Sequence, residues 1–246
     1  VEYKGIILSL CDESGAWSRP YVALGYKVIR VDPKHGVWRE HYQDRGMTDK
    51  QIGNGTMNEM EDGGFGLSAS VQLLANILSA NPTFFGLPVR GILMAPPCTD
   101  FSGSGARHWP AKDEDGRTAV SVSIIRACLQ VKDILKPDWW VLENPVGRLA
   151  RLVPEVGKYR MTFHPCMYAG WLEDPDTEAY TKLTCLFGNF NANLERRDVE
   201  PIMFTLKNGK RGSWMFAKLG GKSERTKELR SKTPVGFSLA FAAANP

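Results

Sequence analysis

Cys98 and Glu143 are the two side chains whose types and settings could carry out covalent chemistry together. Cys98 follows Pro96-Pro97 at the end of the apolar run Gly91-Ile92-Leu93-Met94-Ala95. Glu143 lies 45 residues later, at the end of the apolar run Trp139-Trp140-Val141-Leu142, and opens the tripeptide Glu143-Asn144-Pro145. A thiolate adding to an electron-poor ring, with a carboxyl giving a proton to that ring, is the pair that alkylation of cytosine at C5 requires. A free thiol with a pKa of about 8.5 is only a few per cent ionised near neutrality. Cys98 therefore needs help from helix-terminal amides or nearby cations.

Each residue also has a plainer reading. A lone cysteine is usually a small buried hydrophobe, but the two preceding prolines and the following Thr99-Asp100 put Cys98 at a strand exit, where functional loops lie. A glutamate closing an apolar strand must be paired, protonated or functional, and burial raises its pKa toward proton donation. A structural carboxylate bonded to backbone amides is the competing reading for Glu143. Cys11, Cys128, Cys166 and Cys185 have no comparable setting and read as structural.

The elements that must position this pair are strands and crossover helices. Residues 5–10 form a continuous apolar run of the kind found in buried parallel strands. A turn follows, then a helix from near Trp17, closed by Gly25-Tyr26, and a second strand over 27–32. That strand–helix–strand unit implies a doubly wound, mostly parallel α/β sheet. Residues 71–80 have helical periodicity and end before Pro82. Residues 91–95 and 139–142 are strands, 118–135 an amphipathic helix, and 184–187 a further strand. Thr99 to Arg117 reads as a mobile polar loop, and 33–68 is polar, glycine-rich and unassigned.

The first turn contains Ser14-Gly15, and Asp32 ends the next strand 17 residues on. In doubly wound sheets a close-approach glycine and an acidic residue at these places meet a nucleoside, and Asp32 could accept both ribose hydroxyls. The turn lacks GxGxxG, which leans toward S-adenosylmethionine over NAD.

At 246 residues, 43% hydrophobic and 24% charged, the chain fits one domain with a small appendage. It has no apolar run long enough to span a membrane and opens without a signal-peptide pattern. Five cysteines without a CxxC pair disfavour both a disulfide framework and a zinc site and suit a reducing cytoplasm. A net charge of +4 means that a polyanion must be met by a local patch.

Ala95-Pro96-Pro97-Cys98-Thr99-Asp100-Phe101-Ser102 resembles the nucleophile motif of DNA (cytosine-5) methyltransferases, and Glu143-Asn144-Pro145 resembles their Glu-Asn-Val motif. Leu10 to Gly15 with Asp32 resembles their cofactor turn and ribose-binding acid, although Asp12 and Ser14 stand where glycines are common. The resemblance implies a Rossmann-like fold with Leu10, Cys11, Asp12, Ser14, Gly15, Asp32, Pro33 and Pro97 around S-adenosylmethionine. It implies that Cys98 adds to cytosine C6, that Glu143 engages N3 and the exocyclic amine, and that Asn144 holds the motif backbone. The family's Arg-x-Arg strand has its best counterpart in Lys182-Leu183-Thr184, which assigns Lys182 a catalytic place. Residues 99–112 would close over an extruded base, with Ser102 and Arg107 (or His108) toward nucleic acid. Gln51-Ile52-Gly53-Asn54 matches the family's last motif out of order and reads as coincidence.

Residues 196–232 hold eleven Lys or Arg against four acids, interleaved with Trp214 and Phe216. That bias suits phosphate contact and base stacking, with Arg211, Lys222 and Arg225 as candidates. The organisation expected is a catalytic core over 1–192, a basic recognition segment over 193–232, and a C-terminal helix over 233–246, as in small phage-type members. The expected partner is DNA, bound by a monomer with no metal, in the cytoplasm of a bacterial or phage-infected cell. An RNA cytosine methyltransferase, a nicotinamide-dependent oxidoreductase with a catalytic cysteine, and a non-catalytic DNA-binding relative stay open.

Overall fold

The computed structural model describes residues 2–33, 35, 58–205, 209, 211–215 and 224–246. In chain order its elements are β1 (Ile6–Leu10), α1 (Arg19–Ala23), β2 (Lys27–Val31), β3 (Asn58–Glu59), β4 (Phe65–Leu67), α2 (Val71–Ala80) and β5 (Val89–Met94). A 3-10 segment (Gly103–His108), α3 (Trp109–Glu114), α4 (Arg117–Leu135), β6 (Trp139–Pro145), α5 (Leu149–Leu152), β7 (Tyr159–Phe163) and β8 (Thr184–Asn189) follow. The described chain ends with β9 (Met203–Thr205), β10 (Arg211–Ser213), α6 (Glu224–Ser231) and α7 (Val235–Ala244).

Eight strands form one sheet in the order β3-β4-β2-β1-β5-β6-β8-β7. Within it β4, β2, β1, β5 and β6 run parallel, and β3 is antiparallel to β4. Alternation along these buried strands sorts side chains to two faces. Leu8, Leu10, Ile29, Val31, Ile92, Met94 and Leu142 meet α2 and α4 through Leu74, Leu78, Ile125 and Cys128. On the other face Tyr21 of α1 packs its ring on Trp139, centroids 5.7 Å apart. Helices thus cover both faces, and the doubly wound α/β expectation holds. Gly91 lies opposite Trp139 because a Cβ there would come within 2.1 Å of the indole.

Local signals account for several boundaries. The Ser70 hydroxyl caps α2 by accepting the Leu73 amide, and α4 ends at Lys136, in a left-handed conformation before Pro137. Three expectations need correction. The helix expected from Trp17 is the short α1, because residues 15–18 are spent on a turn that folds back under β1. Residues 99–117 do not form an unstructured loop: they hold the 3-10 segment and α3. Glu143 does not follow a strand but lies within one, since β6 runs on to Pro145.

The chain divides into two compact units, Val1–Met161 with Cys185–Phe190, and Thr162–Thr184 with Asn191–Pro246. One edge of this division, between Phe190 and Asn191, falls two residues before the expected boundary at 192, and residues 162–184 also belong to the second unit. The second unit is built on aromatic stacking: Phe163 lies on Phe237 at 3.9 Å, with Tyr168 edge-on to both. The Glu178 carboxylate accepts the Val235 and Gly236 amides at the start of α7. Burial pushes the Glu178 carboxyl up, with those two amides opposing the shift.

Candidate active site

The strand register places the sequence candidates at one level. Leu10 pairs with both Val31 and Met94, and Met94 pairs with Leu142. The next residues, Asp32, Cys11, Ala95 and Glu143, therefore form a row across the carboxyl ends of β2, β1, β5 and β6. At about 4.8 Å per strand, Asp32 and Glu143 stand about 14 Å apart. The strand order reverses between β1 and β5, the crevice where open α/β sheets bind ligands.

The turn after β1 satisfies itself. Asp12 is buried, and its carboxylate accepts the Ser9 and Ser18 hydroxyls and the Gly15 amide, each at 2.8 Å. Under the turn lies Arg30, 1% exposed, which donates to the Ser18 hydroxyl and makes a bidentate pair with Asp62 at 2.8 and 2.9 Å. Gly15 has φ +66°, and a Cβ on it would sit 2.7 Å from the guanidinium carbon. Bonds from Arg30 hold the Asp62 carboxyl far below the usual carboxylate range. The Asp12 side chain thus ties the turn together and faces into the protein, which accounts for an aspartate where a glycine is common. Ser14 is exposed and accepts the Ala16 amide. Asp32 is half-buried, with its amide on the Leu67 carbonyl and its carbonyl on the His35 amide, and Pro33 is exposed. The His35 ring contacts the Asp12 carbonyl at 3.0 Å. Cys11 stands at φ +59°, and its free thiol lies within hydrogen-bonding reach of the buried, free Cys128 thiol; that contact and then burial push Cys128 well above the ordinary value.

On the other side of the crevice, Ala95 bonds the Leu10 carbonyl, Pro97 is exposed and Cys98 is half-buried, not sealed in the core. The Cys98 carbonyl accepts the Phe101 and Ser102 amides, closing a tight turn. That turn is stitched to the chain leaving β6. Ser102 and Gly147 form a β-bridge, Gly103 donates to the Val146 carbonyl, and Arg148 donates its amide to the Phe101 carbonyl. Gly147 permits the approach: a Cβ there would lie 1.8 Å from the Phe101 oxygen. The Cys98 turn and the chain leaving the strand that bears Glu143 are therefore one backbone-paired unit. Glu143 itself is half-buried, and its charge together with burial pushes the Cys185 thiol on neighbouring β8 up to about 11, burial being the larger cause.

Arg148 is the buried hub of this unit. Its Nε donates to the Asp100 carbonyl, its two terminal nitrogens clasp Asp113 at 2.7 Å each, and one also reaches the Thr118 hydroxyl. The guanidinium stacks over Trp109, 4.6 Å from the ring centroid. These bonds hold the Asp113 carboxyl down to about 2. Asp100 accepts the Ser121 hydroxyl and pairs with Lys112, which also bonds the Thr99 carbonyl. Burial alone would raise the Asp100 carboxyl, but Ser121 and Lys112 outweigh it and hold it below its ordinary value.

The Asn144 side chain is fully buried, and among the described residues neither its amide nitrogen nor its oxygen has a hydrogen-bond partner. The backbone just past the motif, residues 146–148, is the part paired to the Cys98 turn. Ser102 lies beside Ser104, their hydroxyls 2.9 Å apart, and the exposed Arg107 donates to the His108 ring. In the second unit Lys182 donates to the Arg230 carbonyl near the end of α6, so its ammonium is engaged at a helix terminus. Arg211 is exposed on β10. Lys222, Phe216 and the Gln51–Asn54 tetrapeptide lie outside the described residues, as does the side chain of Arg225. Among the described residues no cluster of His, Cys, Asp or Glu could hold a metal, and no helix is long and apolar enough to cross a membrane.

The sequence reading missed Arg30, Arg148, Asp62, Lys112 and Asp113. Arg30 carried a usable signal, a charge in the middle of an apolar strand that must find a partner. Arg148 carried none, since its partners lie 30 to 48 residues away along the chain.

No protein-family model matches the chain, and no curated protein does. It is similar to a solved structure of a prophage-encoded E. coli protein whose name, DNA modification methyltransferase, is provisional. The two share 17% identity with a TM-score of 0.43, over 76% of this chain and 47% of the other. The chain thus spans about half the length of that protein, and a likeness at this level decides neither activity nor substrate.

Proposed function

We propose that the protein transfers a methyl group from S-adenosylmethionine to C5 of cytosine in DNA, with Cys98 as the nucleophile. The observation that carries this reading is the bridge between Ser102 and Gly147, which joins the thiol loop to the strand that bears Glu143.

The residues around the first turn suit a nucleoside without phosphates. The Gly15 and Ala16 amides are already taken by Asp12 and Ser14, which removes two donors a pyrophosphate would use, whereas Asp32 at the β2 exit is of the type that accepts ribose hydroxyls. S-adenosylmethionine, when bound, supplies an electrophilic methyl on a sulfonium. Cys98 adds as thiolate to C6 of the cytosine, and Glu143 holds N3 and the exocyclic amine, which gives C5 nucleophilic character. C5 would take that methyl as its bond to sulfur breaks, leaving S-adenosylhomocysteine, and loss of the C5 proton to water with expulsion of the Cys98 thiolate would restore the ring. Extruding the base costs a few kcal/mol, recovered by contacts in the pocket, and Ser102 and Arg107 lie on the segment that follows the thiol. The exposed bases of the second unit, Arg211 among them, contact the phosphate backbone. The protein acts as a monomer in the cytoplasm of a bacterial or phage-infected cell.

The test is to incubate the protein with labelled S-adenosylmethionine and either DNA or RNA, digest the nucleic acid and identify the modified nucleoside by mass spectrometry. 5-Methyldeoxycytidine is the expected product. Cys98→Ala should make none, and Glu143→Gln should lose most of the rate while still binding cofactor. Turnover by Cys98→Ala would overturn the mechanism, and product in RNA alone would change the substrate.

A further inference from the structure

We infer that Arg148 is the positioning residue that sets the Cys98 turn against the Glu143 strand, acting through the Asp100 carbonyl and the Asp113 carboxylate. The kinetic part of this inference rests on the reaction proposed above; the structural part does not.

The argument begins with what else could hold the turn. Asn144 is not a candidate on the contacts shown, since among the described residues its buried amide makes no hydrogen bond. The turn's own bonds, from Phe101 and Ser102 to the Cys98 carbonyl, shape it locally but do not orient it toward β6. Orientation comes from residues 146–148. Val146 accepts the Gly103 amide, Gly147 faces Ser102, and Arg148 reaches the turn twice, by its amide to Phe101 and by its side chain to Asp100. The same guanidinium fixes α3 through Asp113 and the first turn of α4 through Thr118. A planar fork with five donors can hold a carbonyl, a carboxylate and a hydroxyl at once, which an ammonium cannot. Its 5% exposure keeps the bonds to Asp100 and Thr118 out of competition with water, while the pair with Asp113 is open to solvent on the carboxylate side. The bonds of Arg148 go to Phe101, Asp100, Asp113 and Thr118, so its effect on the reacting groups is geometric. A displacement of about 1 Å in a reacting group can cost about 10²-fold in rate.

Two variants test this. Arg148→Lys keeps the charge but loses the fork. Asp113→Asn leaves Arg148 in place and removes its half-exposed anchor, a change the fold should tolerate. Hydrogen exchange at the Phe101, Ser102, Gly103 and Arg148 amides, and the rate of Cys98 alkylation by iodoacetamide, should both rise about tenfold or more in Arg148→Lys. Asp113→Asn should show a smaller change of the same sign. Calorimetric binding of S-adenosylhomocysteine should stay within about twofold of the unmodified chain, while kcat for methyl transfer falls by about 10²-fold. Unchanged exchange and alkylation in both variants would overturn the proposal, as would a loss of cofactor binding that matches the loss of rate. Loosening of the Cys98 turn in a chain that transfers no methyl group would instead sink the proposed reaction and leave the positioning role intact.

Discussion

Two buried arginines, Arg30 and Arg148, each grip an aspartate with both terminal nitrogens, yet they stand under loops of different self-sufficiency. Above Arg30, Asp12 already satisfies the Ser9 and Ser18 hydroxyls and the Gly15 amide. Arg30 supplies a packed floor, against Gly15 and Gly64, and an ion pair with Asp62. Above Arg148, the Cys98 turn has two bonds of its own and takes its orientation from outside. The same side chain in a similar pairing thus contributes mainly stability in one place and alignment in the other. Burying a guanidinium is costly in either case, and what it organises decides which property suffers when it is removed.

The widest gap between the two regions should come from Gly147→Ala. Its Cβ cannot coexist with the Phe101 oxygen, so the two loops must part. Methyl transfer in steady-state assays should fall by about 10²-fold or more, with binding of S-adenosylhomocysteine nearly unchanged. If the rate survives, the bridge does not align the site.

Asp62→Ala probes the other region. It leaves Arg30 charged and buried without its partner, and urea unfolding should show a loss of about 3 kcal/mol, with cavity and charge effects combined. At low temperature the remaining folded protein should keep its transfer rate within a few-fold. A rate loss as large as that of Gly147→Ala, without loss of stability, would erase the contrast.

The smallest effect is a pH dependence. The Asp113 carboxyl, ordinarily near 3.8, is held at about 2 by Arg148. Because the folded value is the depressed one, its contribution is complete above about pH 4 and is lost as pH falls toward 2. The melting-temperature difference between the unmodified chain and Asp113→Asn should accordingly be constant near neutrality and shrink to nothing across that window. Its size should be modest, since Asp113 is half-exposed and solvent screens it.

Much of the frame was legible because the parallel strands are buried on both faces and read as apolar runs bounded by turns. β1, β2, β5 and β6 were found within two or three residues, and α2 within its exact bounds. The helical character of residues 103–114 was not legible. Gly103, Gly105, Pro110 and scattered charges argue for a loop, and only long-range pairs from Asp100 and Arg148 make that stretch helical. β3 and β4 are two and three residues long, too short for periodicity to register. At the site, the sequence marked Cys98, Glu143 and Asp32 through residue type and position at or near the end of an apolar strand. It did not mark Arg148 or Asp113, because a motif gives order along the chain and says nothing of which buried polar atoms find partners.

By itself, the order of residues settled the α/β class and placed a thiol just past β5, a carboxyl near the end of the neighbouring apolar strand, and an acid at the end of β2. These follow from local hydrophobic runs and chain reversals, which act over ten or twenty residues. Only the tertiary structure decided that the thiol turn pairs with residues 146–148, that Arg148 holds it, and that Asp12 serves its own turn. Those outcomes depend on which buried donors meet which acceptors across separations of tens of residues, and that is settled when the sheet and its helices pack.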